Sequence, residues 1–277
     1  MTIANGGYPD TGLGMPHHRR KRAGGQRGRR RLPAQEITDE RADALARLGR
    51  LVASSNADLG ARFDPVGERL ALVDDPGETV DDARAVLIQL VLAAQHHRGG
   101  RVVLPINVSR TAEHLAAAHG ARVQWTGTSP AALAKAAAAP GVVFAGDGAG
   151  GCILPGTGAP FDGAAALVGL LGHLAESSDS LSSLGARIPQ NRVLQGEVAT
   201  PWSVKGVVMR HIAESDGEHV LDTTADGLRI IEPDGSWALV LPDPAQAVTW
   251  VWAEGTSQEV SQRLLEKWTD RVLSAAG

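Results

Sequence analysis

Cysteine occurs once in the 277-residue chain, at Cys152. A single thiol excludes an internal disulfide framework and a cysteine-based zinc cluster. It fits a reducing compartment, so the expected location is the cytoplasm. Long apolar runs are missing too. None approaches the roughly 20 residues of a bilayer-spanning helix, and no apolar segment follows the N-terminal arginines as a secretory signal requires, so no membrane insertion is expected. The P-loop lysine motif, the HExxH helix and the GxSxG elbow do not occur. The nine histidines fall as pairs (His17-His18, His96-His97) or singly, without a ligand pair four residues apart on one helix. What is present suits a globular protein: 43% hydrophobic residues and a length sufficient for two compact domains.

The net charge of -4 hides an asymmetry. Residues 1–31 hold eight Lys/Arg against Asp10 alone, whereas residues 32–277 hold 19 Lys/Arg and 30 Asp/Glu. Rich in Gly and Arg and poor in apolar residues, the first 34 residues cannot bury enough surface to offset their ordering entropy, so a disordered basic tail is expected. Two readings apply to it: a phosphate-binding tether for nucleic acid or another anionic surface, or a solvated extension. The acidic body offers no second basic patch, which argues against a dedicated nucleic-acid protein.

Beyond the tail the pattern is regular. Ala42, Leu45, Leu48 and Leu51 recur at helical spacing. Two strand-like runs, 57–63 and 70–74, flank Asp64-Pro65-Val66-Gly67-Glu68-Arg69, where Pro and Gly stand at the places a type I turn favours. A hairpin turn is the economical reading of this stretch; as a metal-binding loop it would offer Asp64 and Glu68 as the best ligand pair, with no side-chain oxygen from Pro65, Val66 or Gly67. A long apolar-striped helix over 81–97 stops at Gly99-Gly100. Strand and helix then alternate through residue 145, the rhythm of βαβ units on a mostly parallel sheet. Further helix is expected over 163–176 and 181–187. After Pro189, short strands separated by Asp226-Gly227 and Asp234-Gly235 turns, with a capped helix from Ser257, mark a small α+β domain.

Gly146-Asp147-Gly148-Ala149-Gly150-Gly151 follows a predicted strand and formally fits GxGxxG. A dinucleotide site needs a helix to open at the third glycine, and Cys152-Ile153-Leu154-Pro155-Gly156 is a poor helix start. A ligand-facing loop or a plain tight turn is the reading left.

The order of elements and several loops resemble the α-D-phosphohexomutase family of phosphomannomutases and phosphoglucomutases, over about residues 40–277. The resemblance implies mutase-like α/β/α domains with mixed or mostly parallel sheets, followed by a small α+β domain. It divides the chain into residues 35–100 as part of the family's second domain, 101–190 as its third and 191–277 as its fourth. ADLGARFDPVGERLALVDD looks like the family's magnesium loop of DGDGDR type, with Asp64 at the first ligand place, Val66 at the second, Glu68 at the third and Arg69 kept. VVFAGDGAGGCILPG lines up with the sugar loop of GExSGH type. There Asp147 replaces the hydroxyl-binding glutamate, Ala149 the serine and Gly151 the last residue, leaving Gly146, Asp147, Gly148 and Gly150 as the expected sugar-facing residues. Asp162-Gly163 resembles the start of the family's following helix.

In the fourth domain the phosphate loop of RPSGTEPxxR type corresponds to Leu241-Pro242-Asp243-Pro244-Ala245-Gln246 and onward to Trp250. Two cationic and two hydroxyl donors are replaced and Asp243 adds an anion. Hydrogen bonds to a charged phosphate contribute about 1.5–3 kcal/mol each, so this loop should repel phosphate. No counterpart of the family's phosphoserine domain is recognisable. The resemblance therefore implies a degenerate module of sugar-phosphate and sugar-nucleotide metabolism, non-catalytic by itself. Its implied partners are a sugar phosphate, magnesium at Asp64 and Glu68, and a sugar-nucleotide enzyme or a second copy of the chain. A divergent phosphomannomutase or phosphoglucomutase is the alternative. PWSVKGVVMRH and LPDPAQAVTWVWAE are also similar to the C-terminal region of mannose-1-phosphate guanylyltransferase-type enzymes, which implies a fragment of, or associate for, such an enzyme.

Overall fold

The computed structural model describes residues 34–277 apart from 157–160, 191, 216–219 and 223–226. Nearly all of the basic tail, Asn191 and Asp226 of the expected Asp226-Gly227 turn therefore lie outside the described residues.

Helix α1 spans Ala34–Ser55. From residue 40 onward it buries Leu45 and Val52 against Ala71 and Val73. The expected hairpin follows: β1 (Gly60–Phe63) pairs antiparallel with β2 (Leu70–Val73), Phe63 opposite Leu70. A third strand, β3 (Thr79–Val80), completes a small antiparallel sheet. With two residues it carries no periodicity of its own and exists only through its pairing with β2.

Helix α2 (Asp82–His97) forms because its ends are chemically specified. The Asp81 side chain accepts from the Arg84 N–H, Asp82 sits at the positive end of the helix dipole, and His96 and His97 occupy the last turn. It ends one residue before the glycine pair: Arg98 itself takes the left-handed conformation, φ 45°. Every residue from Ala85 to Ala94 is buried. The Arg41 guanidinium reaches the Asp82 carboxylate, tying α1 to the start of α2 at 2.7 Å.

The α/β unit comprises β4 (Gly100–Pro105), α3 (Thr111–Ala118), β5 (Ala121–Thr126), α4 (Pro130–Ala137), β6 (Val142–Gly146), β7 (Cys152–Ile153), α5 (Gly163–Ser177) and α6 (Leu181–Arg187). Its sheet order is β5-β4-β6-β7; β4 runs parallel to both β5 and β6, and β7 antiparallel to β6. The expected βαβ rhythm is thus present with one antiparallel edge strand. Val102, Leu104, Phe144 and Ile88 are at most 1% exposed, and burying each such side chain contributes roughly 1.5–3 kcal/mol.

The C-terminal unit is antiparallel: β8 (Leu194–Ala199), α7 (Lys205–Ser215), β9 (Val220–Asp222), β10 (Leu228–Ile231), β11 (Trp237–Pro242), β12 (Val248–Glu254) and α8 (Gln258–Ala276), in sheet order β8-β12-β11-β10-β9. Trp268 of α8 and Val251 of β12 are both fully buried in its core. Among the described residues, no helix is long and apolar enough to cross a membrane.

Candidate functional site

Three segments far apart in sequence meet at one end of the small hairpin. The turn between β1 and β2 is closed by the Gly67 N–H donating to the Asp64 carbonyl at 3.1 Å, with Gly67 in the left-handed region at φ 76°. Asp64 Oδ1 accepts from the Glu68 and Arg69 N–H groups at 2.8 and 3.1 Å. The 146–151 loop docks alongside: the Leu70 N–H donates to the Gly150 carbonyl at 2.9 Å. Gly150 lies at φ 89°, and a Cβ there would stand 3.0 Å from the Leu70 carbonyl oxygen. The third segment is the start of α5. Gly163 donates its N–H to the Gly67 carbonyl at 2.8 Å, and Asp162 caps the helix by accepting from Ala165.

The structure thus brings the hairpin turn, the 146–151 loop and the start of α5 together. Arg69 Nη1 lies 2.8 Å from Asp147 Oδ2 and donates to the Ala149 carbonyl at 2.6 Å. Asp147 Oδ1 accepts from the Ala149 and Gly151 N–H groups at 2.7 and 2.8 Å. The Asp147 carboxylate thus turns back onto its own loop and is neutralised by Arg69. Gly151 follows from this, because a Cβ there would lie 2.6 Å from Asp147 Oδ2. In place of a nucleotide helix, β7 follows the loop.

Magnesium fits the hairpin poorly. Asp64 spends Oδ1 on backbone donors, Val66 is 72% exposed and offers no oxygen, and Glu68 is exposed beyond the turn. A magnesium ion bound octahedrally needs several converging oxygens. Among the described residues no group of three or more His, Cys, Asp or Glu is arranged to hold a metal ion.

The loop between β11 and β12 already contains an anion. Asp243 Oδ1 accepts from the Ala245 and Gln246 N–H groups at 2.7 and 2.8 Å, and Oδ2 from Trp250 Nε1 at 2.8 Å. The Trp250 hydrogen bond, then those from the backbone, hold the Asp243 carboxyl below the usual range, so it stays ionised. Lys205 Nζ donates to the Asp243 and Gln246 carbonyls and lies 3.9 Å from the centre of the Trp202 ring. Pro201–His211 and the 241–254 stretch, separate in sequence, are thus in contact through Lys205.

Sequence reasoning missed a second polar cluster, joining the α/β unit to the C-terminal sheet. Glu254 accepts from Ser109 Oγ, from the Arg110 N–H at 2.9 Å and from Trp237 Nε1 at 2.6 Å. Arg229, 1% exposed, lies between the Trp125 and Trp237 rings, its guanidinium carbon 4.9 and 4.6 Å from their centres. Glu113 accepts from Trp125 Nε1 at 2.8 Å. Burial raises its pKa, but hydrogen bonds from Arg110 and Trp125 outweigh that and leave it lowered. The tryptophan-rich strands were the one available signal. His96, His173 and Glu176 also converge, His96 Nδ1 standing 2.6 Å from Glu176 Oε2. Burial, then the neighbouring His96, lowers the His173 pKa.

Residues 80–191, which include α2, match the family described as Phosphoglucomutase/phosphomannomutase, alpha/beta/alpha domain III. Over 227 residues the chain is 25% identical to a probable phosphoglucosamine mutase of Methanothermobacter thermautotrophicus, covering 80% of this chain and 49% of that one. The chain spans about half the length of the curated relatives it matches. A phosphoglucomutase/phosphomannomutase family protein from Burkholderia thailandensis superimposes with a TM-score of 0.69 at 21% identity, over 84% of this chain and 50% of that one. The Aspergillus fumigatus N-acetylphosphoglucosamine mutase, solved with GlcNAc-6P and magnesium, superimposes at 0.56 with 11% identity, over 79% of this chain and 49% of that one. Residues 80–191 are thus similar to the α/β/α domain III of phosphoglucomutases and phosphomannomutases, in a chain whose similarity to phosphoglucosamine mutases runs over about four-fifths of its length.

Proposed function

We propose that the chain is a phosphohexomutase-like module of sugar-phosphate and sugar-nucleotide metabolism that does not catalyse phosphoryl transfer by itself. The observation that carries this reading is the Asp243 carboxylate, which takes the N–H donors of the 243–246 loop from within. Phosphoryl transfer depends on preorganised donors, cations or metal ions facing the oxygens of the transferring group. Here an ionised carboxylate occupies that place in one loop, and the hairpin that would hold magnesium offers two carboxylates, one engaged by backbone. What the fold supports instead is weak sugar or sugar-phosphate binding at the Gly146–Gly150 loop. The domain limits at 35–100, 101–190 and 191–277, cytoplasmic residence and association with a sugar-1-phosphate nucleotidyltransferase belong to the same proposal. The last rests on the likeness of PWSVKGVVMRH and LPDPAQAVTWVWAE to the C-terminal region of such enzymes.

A coupled assay of the purified chain with glucose 1-phosphate, mannose 1-phosphate and glucosamine 1-phosphate, with magnesium present, tests the reading. No turnover above background is expected, and sustained turnover with any of the three overturns it. A divergent mutase is the second reading, favoured by one observation: Arg69 is kept and stands against Asp147. In that case turnover should appear and vanish in Arg69→Ala.

A further inference from the structure

Helices α2 and α5 lie against each other, with Leu170 of α5 buried in the same core as Leu92 and Ala93 of α2. Towards their C-terminal ends this apolar seam gives way to three imidazoles and a carboxylate. His96 and His97 come from the last turn of α2, and His173 and Glu176 from α5, at a spacing that puts them on one helix face. The His96 ring centre stands 4.9 Å from that of His173 and 4.8 Å from that of His97, and His96 Nδ1 stands 2.6 Å from Glu176 Oε2. His173 is half-buried between two spaces: a cavity of about 190 Å³ that it shares with His96 and Glu176, and a narrow crevice lined by Phe144, Leu154 and Leu170. Beyond the histidines and Glu176, the residues lining the two spaces carry no charge.

Helix α5 is weak by itself. Gly169 and Gly172 stand in its interior, where glycine disfavours the helical state. Its left-handed C-cap is Ser178, at φ 57°, in place of the glycine that such a cap favours. Its retention therefore depends on the seam with α2. A proton on His96 has the Glu176 carboxylate as its acceptor and the negative end of the α2 dipole beside it. A proton on His173 loses hydration on the crevice side and faces the charge on His96. Burial first, then His96, holds the His173 pKa below the ordinary 6.5; Glu176 opposes this and His97 adds to it. An imidazole depressed in the folded state contributes stability that is complete above 6.5 and is lost as pH falls through its folded value.

We infer that these four residues form a pH-operated latch, which holds α5 on α2 while His173 is neutral and lets the C-terminal half of α5 open when His96 and His173 are both charged. Native-state hydrogen exchange of the full chain at about pH 7 and about pH 5.5, a window in which unperturbed histidine titrates, tests it together with an NMR titration of the imidazoles. After correction for intrinsic exchange, protection over residues 170–177 should fall about threefold or more at the lower pH, while α8 keeps its protection. The His173 ring should titrate below 6.5. His173→Gln, which cannot take up the proton, should abolish the fall, and His96→Gln should reduce it. Unchanged α5 protection, a fall of equal size in α8, or a His173 titration at or above 6.5 overturns the inference on the unaltered chain, whether or not the variants fold. Persistence of the whole fall in a folded His173→Gln chain overturns it as well.

Discussion

At Gly151 the chain accepts no side chain, because a Cβ would lie 2.6 Å from Asp147 Oδ2 and 2.8 Å from Phe161 Cε1. The two loop replacements, Asp147 and Gly151, are therefore one event in physical terms. A shorter acid folds back onto the loop amides, and the space it enters has to be vacated by position 151. Gly151→Ala should destabilise the chain by about 1–3 kcal/mol, the usual range for overpacking. In an Asp147→Ala background part of that cost disappears, giving an interaction energy of at least about 0.5 kcal/mol in a double-mutant cycle followed by urea unfolding. Strict additivity would show that the carboxylate does not occupy the space.

Among the elements, Asp75 joins the turn after β2 to the start of α6. Its carboxylate accepts from the Ser182 N–H at 2.9 Å and hydroxyl at 2.8 Å. Burial raises the Asp75 pKa, but the Ser182 hydrogen bonds outweigh that, and it lies below the ordinary 3.8. A carboxylate with a depressed folded-state pKa adds stability that is present above its unfolded value and is lost as pH falls through its folded value. Neighbouring Asp74 is shifted the opposite way, chiefly by burial, so it favours the folded state at low pH. Urea midpoints across pH 3.8 should then separate the two: Asp75→Asn loses its deficit relative to the native chain on acidification, whereas Asp74→Asn does not. Parallel curves for both variants would refute the assignment. The helices were readable in sequence because their signals are local: Asp81, Ser129, Asp162, Ser180 and Ser257 each cap the helix that follows. Strands β3 and β7 were not, since two residues form a strand only by virtue of a partner elsewhere. The same distinction governs the site. Asp64, Arg69 and Asp147 were found through loops with recognisable patterns. The Glu254 cluster was not, because Ser109 and Glu254 are 145 residues apart, and the LPDPAQAVTWVWAE stretch that ends at Glu254 contains none of its partners.

Across residues 40–277, that cluster decides whether the α/β unit and the C-terminal sheet behave as separate bodies. Ile106, just past the end of β4, is fully buried among Trp237, Leu239, Leu241 and Trp252 of the C-terminal sheet. Above this apolar contact, Glu254 gathers donors from both sides: Ser109 and Arg110 from one, Trp237 from the other. Arg229 adds a buried cation flanked by one tryptophan from each unit. Such a boundary is built like a core rather than like a wet hinge. Glu254→Ala would leave the buried Trp237 Nε1 and Ser109 hydroxyl without their acceptor, at about 1–3 kcal/mol each. If the two units are one cooperative body, native-state hydrogen exchange should show that loss at β4 amides as well as at β11 amides, and by similar amounts. Loss confined to β11 and β12 would mean that Glu254 stabilises only its own sheet.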